Sequence, residues 1–226
     1  MTMIFPDFQP TPAVAVPGFD AGQKPGIYRN LFKRLLDVTV IALAAPAVVP
    51  VVAVLVAAVM YEGGNPFYSQ LRVGRGGRAF RMWKLRSMVA NADALLEQHL
   101  ASDPRVRQEW DETQKLQADP RITRFGKFLR AASLDELPQL WNVLTGDMSL
   151  VGPRPMMLNQ QVLYSGDAYY ALRPGITGYW QTAGRNRTSF AARADIDTAY
   201  EAELSFRTDL GILLKTVSVV LRGTGC

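Results

Sequence analysis

One apolar stretch, VTVIALAAPAVVPVVAVLVAAVMY at residues 38–61, decides the fold of this chain. It carries no charged residue and is long enough to cross a hydrocarbon core about 30 Å thick as a helix. Pro46 and Pro50 lie in its middle. A proline inside a helix removes one backbone hydrogen bond and clashes with the preceding turn, at about 3 kcal/mol. The stretch therefore predicts a membrane helix that bends or breaks at Pro46 or Pro50.

Basic residues flank this stretch on both sides. Four cations precede it, and six follow it with no acid among them: Lys24, Arg29, Lys33 and Arg34, then Arg72, Arg75, Arg78, Arg81, Lys84 and Arg86. Basic flanks favour the cytoplasmic side of a membrane, and one straight span cannot place both of them there. Length alone leaves a straight span open, whereas the charges favour a re-entrant helix that enters, turns near the prolines and returns to the same face.

The rest of the chain predicts a mostly helical α+β protein. Residues 67–73 and 79–84, separated by glycines, predict a β-hairpin. Helices are predicted at 91–116, with an interruption near Asp103-Pro104, at 133–146 and over most of 195–221. The last helix, from residue 206, has a broad apolar face that suits either a protein core or a membrane interface.

Composition limits the kinds of partner, metal site and catalytic mechanism that this chain can have. The formal net charge is +5 and the sequence pI is about 9.5, which favours anionic partners such as phosphates, lipid headgroups or nucleic acid. Cys226 is the only cysteine and His99 the only histidine. An intrachain disulfide is therefore excluded, and both a tetrahedral zinc site and a Ser-His-Asp or Cys-His mechanism are disfavoured.

Two adjacent acids, Asp135 and Glu136, follow Ser133 at a predicted helix start. One interpretation is structural: Glu136 closes a capping box with Ser133, and Asp135 complements the helix dipole. The other is chemical. A helix start offers N–H groups to a phosphate and keeps an aspartate ionised, as a nucleophile must be, while the second acid serves as a base. Carboxylates beside a diphosphate would also bind Mg²⁺, with Asp135 as a ligand.

Several cationic and polar side chains are candidate substrate ligands. Lys84, Arg86 and Arg130 either form a solvated basic face or neutralise a diphosphate. Arg154 lies between two prolines, in either a rigid loop or a pre-set arm for phosphate or base. Gln181 and Arg185 follow the turn-rich loop 174–178 and suit either a sugar or phosphate site or a structural turn.

These residues lie within a series of motifs that resembles the bacterial sugar transferases. This family comprises monotopic phosphoglycosyl transferases that start glycan assembly on a polyprenyl phosphate. The resemblance covers about residues 31–223. The motifs, in chain order, are Lys33-Arg34…Asp37, Arg72-Val-Gly-Arg-Gly-Gly-Arg78, Lys84-Leu-Arg-Ser-Met88, Asp119-Pro-Arg-Ile-Thr123, Arg130-Ala-Ala-Ser-Leu-Asp-Glu-Leu-Pro-Gln139, Gly146-Asp-Met-Ser-Leu-Val-Gly-Pro-Arg-Pro155 and Arg173-Pro-Gly-Ile-Thr-Gly178.

The resemblance implies a two-step, Mg²⁺-dependent reaction. Asp135 would attack the β-phosphate of a UDP-sugar and release UMP, and Glu136 would help undecaprenyl (polyprenyl) phosphate to attack the resulting phosphosugar-enzyme. Arg154 would contact the uridine end. The transferred group would be a hexose phosphate, with galactose or glucose the first candidates, in exopolysaccharide synthesis. One departure is Ala45-Pro46, where related proteins often have Ser-Pro.

The resemblance also implies an organisation and a location. Residues 1–28 would form a flexible tail, 29–62 a re-entrant membrane helix, and 63–226 a cytosolic catalytic domain with membrane-interface helices. The enzyme would sit on the cytoplasmic face of the bacterial inner membrane, without a nucleic-acid partner, and a homodimer stays open. The alternative is a non-enzymatic basic adaptor that binds anionic lipid or nucleic acid, although such an adaptor has no use for the acidic pair.

Overall fold

The computed structural model describes residues 26–89, 91–113, 116, 118–183 and 192–221. Most of the predicted flexible tail and the candidate ligand Arg185 therefore lie outside the described residues. The described chain forms two compact units. The first takes the described residues within 1–46, 69–83 and 139–219, and the second takes those within 47–68, 84–138 and 220–226.

The apolar stretch is helical throughout. A π-helical turn, Tyr28–Phe32, leads into helix α1, Lys33–Tyr61. Together they form one helix of 34 residues that is long and apolar enough to cross a membrane. All of α1 is helical with both prolines inside it, so the predicted break at Pro46 or Pro50 is not found, whereas a bend there stays a prediction. Each proline removes only one N–H donor, so the bonds of the neighbouring residues continue the helix on either side.

The predicted hairpin is confirmed. Strand β1, Phe67–Val73, pairs with strand β2, Ala79–Leu85, and the turn between them contains Gly76 and Gly77 at positive φ. The predicted helical interruption at Asp103-Pro104 is also confirmed. It separates α2, Ala92–Ser102, from α3, Pro104–Thr113, because the residue before a proline disfavours the helical conformation.

The first unit is built around a short parallel strand pair. Strand β3, Ser149–Val151, pairs in parallel with β4, Gly175–Thr177, in the register Ser149↔Gly175 and Val151↔Thr177. Residues 174–178, predicted to form a turn-rich loop, are thus mainly a strand. Gly175 permits this approach, since a Cβ there would lie 2.1 Å from the backbone nitrogen of Gly152. Around the pair pack Ile41, Phe80, Met82, Val143, Met148, Leu172, Tyr200 and Ile212.

Polar contacts fix the start of α1 to this core. Asp37 is 2 % exposed and accepts hydrogen bonds from the Ser149 hydroxyl at 2.8 Å and the Leu150 N–H at 3.0 Å. Lys33 forms an ion pair of 2.6 Å with Asp209, which is fully buried. The Lys-Arg…Asp motif at the helix entry therefore has a structural role, in which Lys33 and Asp37 are buried within the first unit.

Short helices complete the first unit: α5, Gln139–Thr145, α6, Ala168–Ala171, α7, Tyr179–Ala183, α8, Ala192–Ala202, and α9, Phe206–Leu221. Helix α9 combines the two interpretations left open from its sequence. Asp209 and Ile212 are buried, while four apolar side chains on the helix are 41–65 % exposed: Phe206, Leu210, Leu214 and Val217. One face thus packs on the core and another presents an apolar surface.

The second unit contains the later part of α1 and helix α4, Arg124–Ala131. Leu55 and Val59 of α1 pack with Leu85 and Leu129 in a buried cluster. Thr123 caps α4, because its hydroxyl accepts a hydrogen bond of 2.8 Å from the Gly126 N–H. Helix α4 is therefore held at both ends, by this cap and by the buried Leu129.

Candidate active site

The acidic pair lies on a single 3₁₀ turn. The sequence predicted one helix over residues 133–146, but the structure has a 3₁₀ turn, Leu134–Glu136, followed by α5. Pro138 stands between them and lacks the N–H that a continuous helix would need. Ser133 adopts a left-handed conformation, with φ of 55° and ψ of 23°, and makes no side-chain cap. The predicted capping box is therefore wrong, whereas Gly146, with φ of 90°, ends α5 as predicted.

Lys84 lies against both acids. Its Nζ donates a hydrogen bond of 2.8 Å to Glu136 Oε1 and is 3.6 Å from Asp135 Oδ2. The lysine comes from the end of β2, and the acids come from a turn some fifty residues later. Lys84 and the acidic turn both belong to the second unit. The contact explains why Glu136 does not cap Ser133: its carboxylate is drawn to an ammonium group instead.

Asp135 is buried, and only 7 % of it is exposed. Burial raises the pKa of its carboxyl above the ordinary 3.8, the Lys84 charge opposes this, the Glu136 charge adds to it, and Arg130 opposes it. The net shift is therefore upward, opposite to the lowering that a helix dipole would produce. A three-residue turn has little dipole, and the desolvation of a buried carboxylate outweighs the two nearby cations.

Arg130 is the second cation beside the pair. It lies in the last turn of α4, and its Nε donates a hydrogen bond of 2.8 Å to the Ser87 hydroxyl. Its charge favours the ionised forms of both Asp135 and Asp119. Lys84 thus contacts both acids, and Arg130 lies on the helix that leads into their turn. The sequence had left these cations as either diphosphate ligands or a solvated basic face. Ser87, which lies in the same motif as Lys84, was not singled out from the sequence because a lone serine carries no distinct signal.

Arg86 contacts the last turn of α1 and the turn that follows it. Its guanidinium donates to the carbonyl oxygen of Val59 at 3.2 Å and to that of Gly63. These carbonyls belong to the end of α1 and the turn after it, where helical carbonyls lack intrahelical partners. The structure therefore places Arg86 as a cap on the membrane helix and not at the acidic pair.

Arg154 lines a cleft within the first unit. Its guanidinium carbon lies 5.1 Å from the centre of the Trp180 ring, and that of Arg193 lies 4.5 Å from it. Tyr164, Asp197, Met156 and Tyr169 complete the lining of this cleft. Two guanidinium groups and an indole suit an anionic ligand that carries an aromatic ring.

Asp197 is the acid of this cleft, and no motif or spacing singled it out beforehand. It is 6 % exposed and accepts a hydrogen bond of 3.0 Å from the Tyr164 hydroxyl. Burial raises the pKa of Asp197 to about 7, against the opposing effects of Tyr164 and Arg193. The other predicted ligand of this region, Gln181, is 4 % exposed on α7, and its Oε1 lies beside Gly178.

The acidic side chains of the site can be compared with the ligands that Mg²⁺ prefers. No group of three or more His, Cys, Asp or Glu side chains that could hold a metal occurs in the part of the chain that the structure describes. Asp135 and Glu136 offer two carboxylates. Mg²⁺ commonly binds proteins through one or two carboxylates and completes its octahedron with water and substrate phosphates. The donor set fits an ion that arrives with a diphosphate.

The sequence that forms these sites is similar to sequences of known proteins. The sequence model of the bacterial sugar transferase family matches residues 28–223. This chain belongs to that family. The match spans α1, the acidic pair, the Arg154 cleft and α9, so it includes every described site above.

Several relatives of this sugar transferase carry functional names. The UDP-galactose-lipid carrier transferase of Erwinia amylovora is 47 % identical over 202 residues, covering 87 % of this chain and 42 % of that protein. The exopolysaccharide production protein ExoY of Sinorhizobium fredii is 41 % identical over 217 residues, covering 93 % and 96 %. The UDP-glucose:undecaprenyl-phosphate glucose-1-phosphate transferase of Caulobacter vibrioides is 38 % identical over 211 residues, covering 88 % and 73 %. The chain therefore spans less than half of the first relative and nearly all of the second.

Proposed function

We propose that this sugar transferase moves a hexose 1-phosphate from a UDP-sugar to a polyprenyl phosphate such as undecaprenyl phosphate, releasing UMP. The observation that carries the proposal is the buried Asp135 beside Glu136, with Lys84 and Arg130 as the adjacent cations. The names of the relatives supply the substrate classes: a UDP-linked sugar and an undecaprenyl phosphate acceptor.

The reaction proceeds in two displacements at one phosphorus atom. In the first, a carboxylate oxygen of Asp135 bonds to the β-phosphorus of the donor, the bond from this phosphorus to the bridging oxygen breaks, and UMP leaves with the electron pair. In the second, an oxygen of polyprenyl phosphate attacks the same phosphorus, and the Asp135 carboxylate is released. The product is a polyprenyl diphosphosugar.

The described contacts suit these steps. Burial raises the pKa of Asp135 and so makes its carboxylate a stronger base and nucleophile, while Lys84 and Arg130 favour the ionised form that must attack. Glu136 is held by Lys84 beside the nucleophile, where it can accept a proton from the acceptor phosphate. A magnesium ion bound with the diphosphate would neutralise charge that develops on the leaving UMP.

We propose, from the family motif Pro153-Arg154-Pro155, that Arg154 contacts the uridine end of the donor. The cleft that Arg154 lines lies within the first unit. Its two guanidinium groups supply phosphate or carbonyl ligands, and Trp180 supplies an apolar wall. The sugar is expected to be galactose or glucose, because these are the sugars in the names of two relatives that are 47 % and 38 % identical to this chain over the aligned residues.

The apolar helix indicates association with a membrane. We propose that it bends near Pro46 and Pro50 and returns to the cytoplasmic face that it entered. Residues at both ends of α1 are buried by protein: Lys33, Asp37 and Ile41 near its start, and Leu55 and Val59 near its end. The stretch between Ile41 and Leu55 would reach only about 21 Å at roughly 1.5 Å per residue, which is short of a hydrocarbon core about 30 Å thick.

Cysteine labelling tests this topology. In a Cys226→Ser background, single cysteines replace Ile27 and Tyr68, which are 72 % and 52 % exposed. An impermeant thiol reagent should label neither position in spheroplasts and both positions in inverted inner-membrane vesicles. Labelling of one position alone in spheroplasts would show that α1 crosses the membrane.

The reaction is tested by UMP release. The full chain in membranes is incubated with Mg²⁺, polyprenyl phosphate and either UDP-galactose or UDP-glucose. Asp135→Asn should lower the rate by at least about a thousand-fold, because the amide cannot form the covalent bond. Asp111→Asn, which alters an exposed acid on α3, is the matched control and should keep the wild-type rate. Turnover without a phosphosugar adduct on Asp135 in trapping experiments would rule out the covalent route.

A further inference from the structure

We propose that Ser87 is a positioning residue that holds the guanidinium of Arg130 at the reaction centre. The inference rests on the proposed function, because it assigns a role in that reaction. It begins from the location of Ser87, which is 7 % exposed and lies two residues after the end of β2. Lys84 is three residues upstream on the strand, so the two cations beside the acidic pair come from the segments that meet at Ser87.

The backbone of Ser87 docks α4. Its carbonyl oxygen accepts a hydrogen bond of 3.1 Å from the N–H of Thr123, the residue that caps α4. Gly126, in the first turn, packs so closely that a Cβ there would lie 2.0 Å from the Ser87 oxygen. Next to it, Met88 forms a β-bridge with Ile122. The start of α4 is thereby fixed in register against the segment that follows β2.

The hydroxyl of Ser87 acts on the other end of the same helix. It accepts the 2.8 Å hydrogen bond from Arg130 Nε, in the last turn of α4. Arginine is a long side chain with about 2 kcal/mol of rotamer entropy, so one directional bond near its end selects a narrow set of positions. The bond engages Nε alone, which leaves the fork of terminal nitrogens, the geometry that suits two phosphate oxygens, outside the contact with Ser87.

The target of this arrangement is the acidic pair. Arg130 lies in the last turn of α4, five residues before Asp135, so the helix that docks on Ser87 leads directly into the turn that carries the acids. A fixed cation needs no reorganisation when negative charge develops on a transferring phosphoryl group, so its effect falls on the transition state. The hydroxyl should therefore influence kcat much more than the KM for the donor.

Ser87→Ala is the test, in the full chain in membranes with the UDP-sugar that wild type turns over. We expect kcat to fall about ten-fold, the cost of a hydrogen bond to a charged group, with the donor KM within about two-fold of wild type. Ser87→Thr, which keeps the hydroxyl, should recover most of kcat. Ser102→Ala, at an exposed serine on α2, is the matched control and should leave kcat unchanged.

A double-mutant cycle separates positioning from packing. In an Arg130→Gln background, Ser87→Ala should cause no further loss of kcat, because the group it orients is gone. An equal additional loss in that background would show a role independent of Arg130 and overturn the inference. If Ser87→Ala does not fold, Ser87→Cys serves in the same cycle, since the thiol keeps the shape but accepts weakly.

The result also separates this inference from the function it rests on. Wild-type protein that releases no UMP from any UDP-sugar would contradict both the proposed transferase function and the positioning role of Ser87. Wild-type turnover together with an unchanged kcat in Ser87→Ala would overturn the positioning role of Ser87 and leave the transferase reaction intact.

Discussion

Lys84 Nζ lies 2.8 Å from Glu136 Oε1, closer than the 3.6 Å that separates it from Asp135 Oδ2. The lysine therefore binds the proposed base more closely than the proposed nucleophile. This geometry leaves Asp135 the weaker partner of the ammonium group, which suits a carboxylate that must bond to phosphorus. It also predicts that neutralising Asp135 and neutralising Glu136 slow different steps of the reaction.

Glu136→Gln should separate the two halves of the reaction. Asp135 still attacks the donor, but the acceptor phosphate lacks its base, so the phosphosugar-enzyme accumulates. Rapid-quench measurement should show a burst of UMP near one equivalent, followed by a steady rate lowered about 100-fold. Glu97→Gln, at an exposed position on α2, should behave as wild type. A variant without a burst and with a slow first turnover would place Glu136 in the first step.

Asp197 should make the stability of the fold depend on pH. Its pKa is 3.8 in a solvated chain and about 7 when buried here. The folded state therefore binds the proton more tightly, and stability falls as pH rises from about 4 to about 7, by at most about 4 kcal/mol, and is level above that.

Asp197→Asn should remove this dependence, because its amide stays neutral and can still accept the hydrogen bond from Tyr164. The variant should unfold at a higher temperature than wild type at about pH 8 and at a similar temperature near pH 4. Asp195→Asn, an exposed position on the same helix, is the control. Parallel curves for wild type and Asp197→Asn would contradict the assignment.

Substitution of Arg86 should lower stability, whereas substitution of Arg154 should weaken binding of the donor. Arg86→Gln removes the cap on the end of α1 and should lower the free energy of unfolding by about 1–3 kcal/mol, with a donor KM close to wild type. Arg154→Gln removes a guanidinium from the cleft and should raise the KM or Kd for the UDP-sugar about ten-fold, with little change in stability. A raised donor KM in Arg86→Gln would return this arginine to the substrate site.

The ion pair of Lys33 and Asp209 should be indispensable to the fold. Its side chains are 7 % and 0 % exposed, and Tyr28 and Tyr200 also donate to Asp209. Lys33→Met strands a buried carboxylate and should destabilise the protein by about 3–5 kcal/mol. Arg107→Gln breaks a pair whose members are 56 % and 58 % exposed and should change stability by less than about 0.5 kcal/mol. Equal effects in thermal unfolding would show that burial of the first pair does not persist in solution.

Gly126 and Gly211 form a matched pair of helical glycines. A methyl group at Gly126 would collide with the Ser87 carbonyl, so Gly126→Ala should cost about 1–3 kcal/mol. A methyl group at Gly211 meets nothing within 4 Å, so Gly211→Ala should stabilise α9 by about 0.5–1 kcal/mol through its higher helix propensity. Denaturant unfolding in detergent measures both, and a neutral Gly126→Ala would contradict the close docking of α4.

Features encoded within a few residues could be predicted from the sequence. The glycine turn of the hairpin, the stop at Asp103-Pro104 and the helix end at Gly146 each follow from local backbone chemistry. Lys84 and Arg130 were also named from the sequence as candidate diphosphate ligands, and the contact of Lys84 with both acids agrees with that interpretation.

Features set by distant contacts could not be predicted. Arg86 caps a helix whose end lies more than twenty residues before it, and Lys33 pairs with a residue 176 positions away. The left-handed backbone of Ser133 joins α4 to the acidic turn, and nothing in its own side chain requires it. Burial of Asp135 and Asp197, which raises the pKa of each, appears only once the chain is packed.

The 176-residue separation between Lys33 and Asp209 also has a consequence for biosynthesis. At about 5–20 residues per second, the ribosome makes Asp209 roughly 10–35 s after Lys33. During that interval the apolar helix leaves the exit tunnel, and Lys33 has no Asp209 to pair with. The nascent chain must therefore shelter that helix, in lipid or with an insertion factor, before the carboxyl-terminal segment arrives to complete its anchorage.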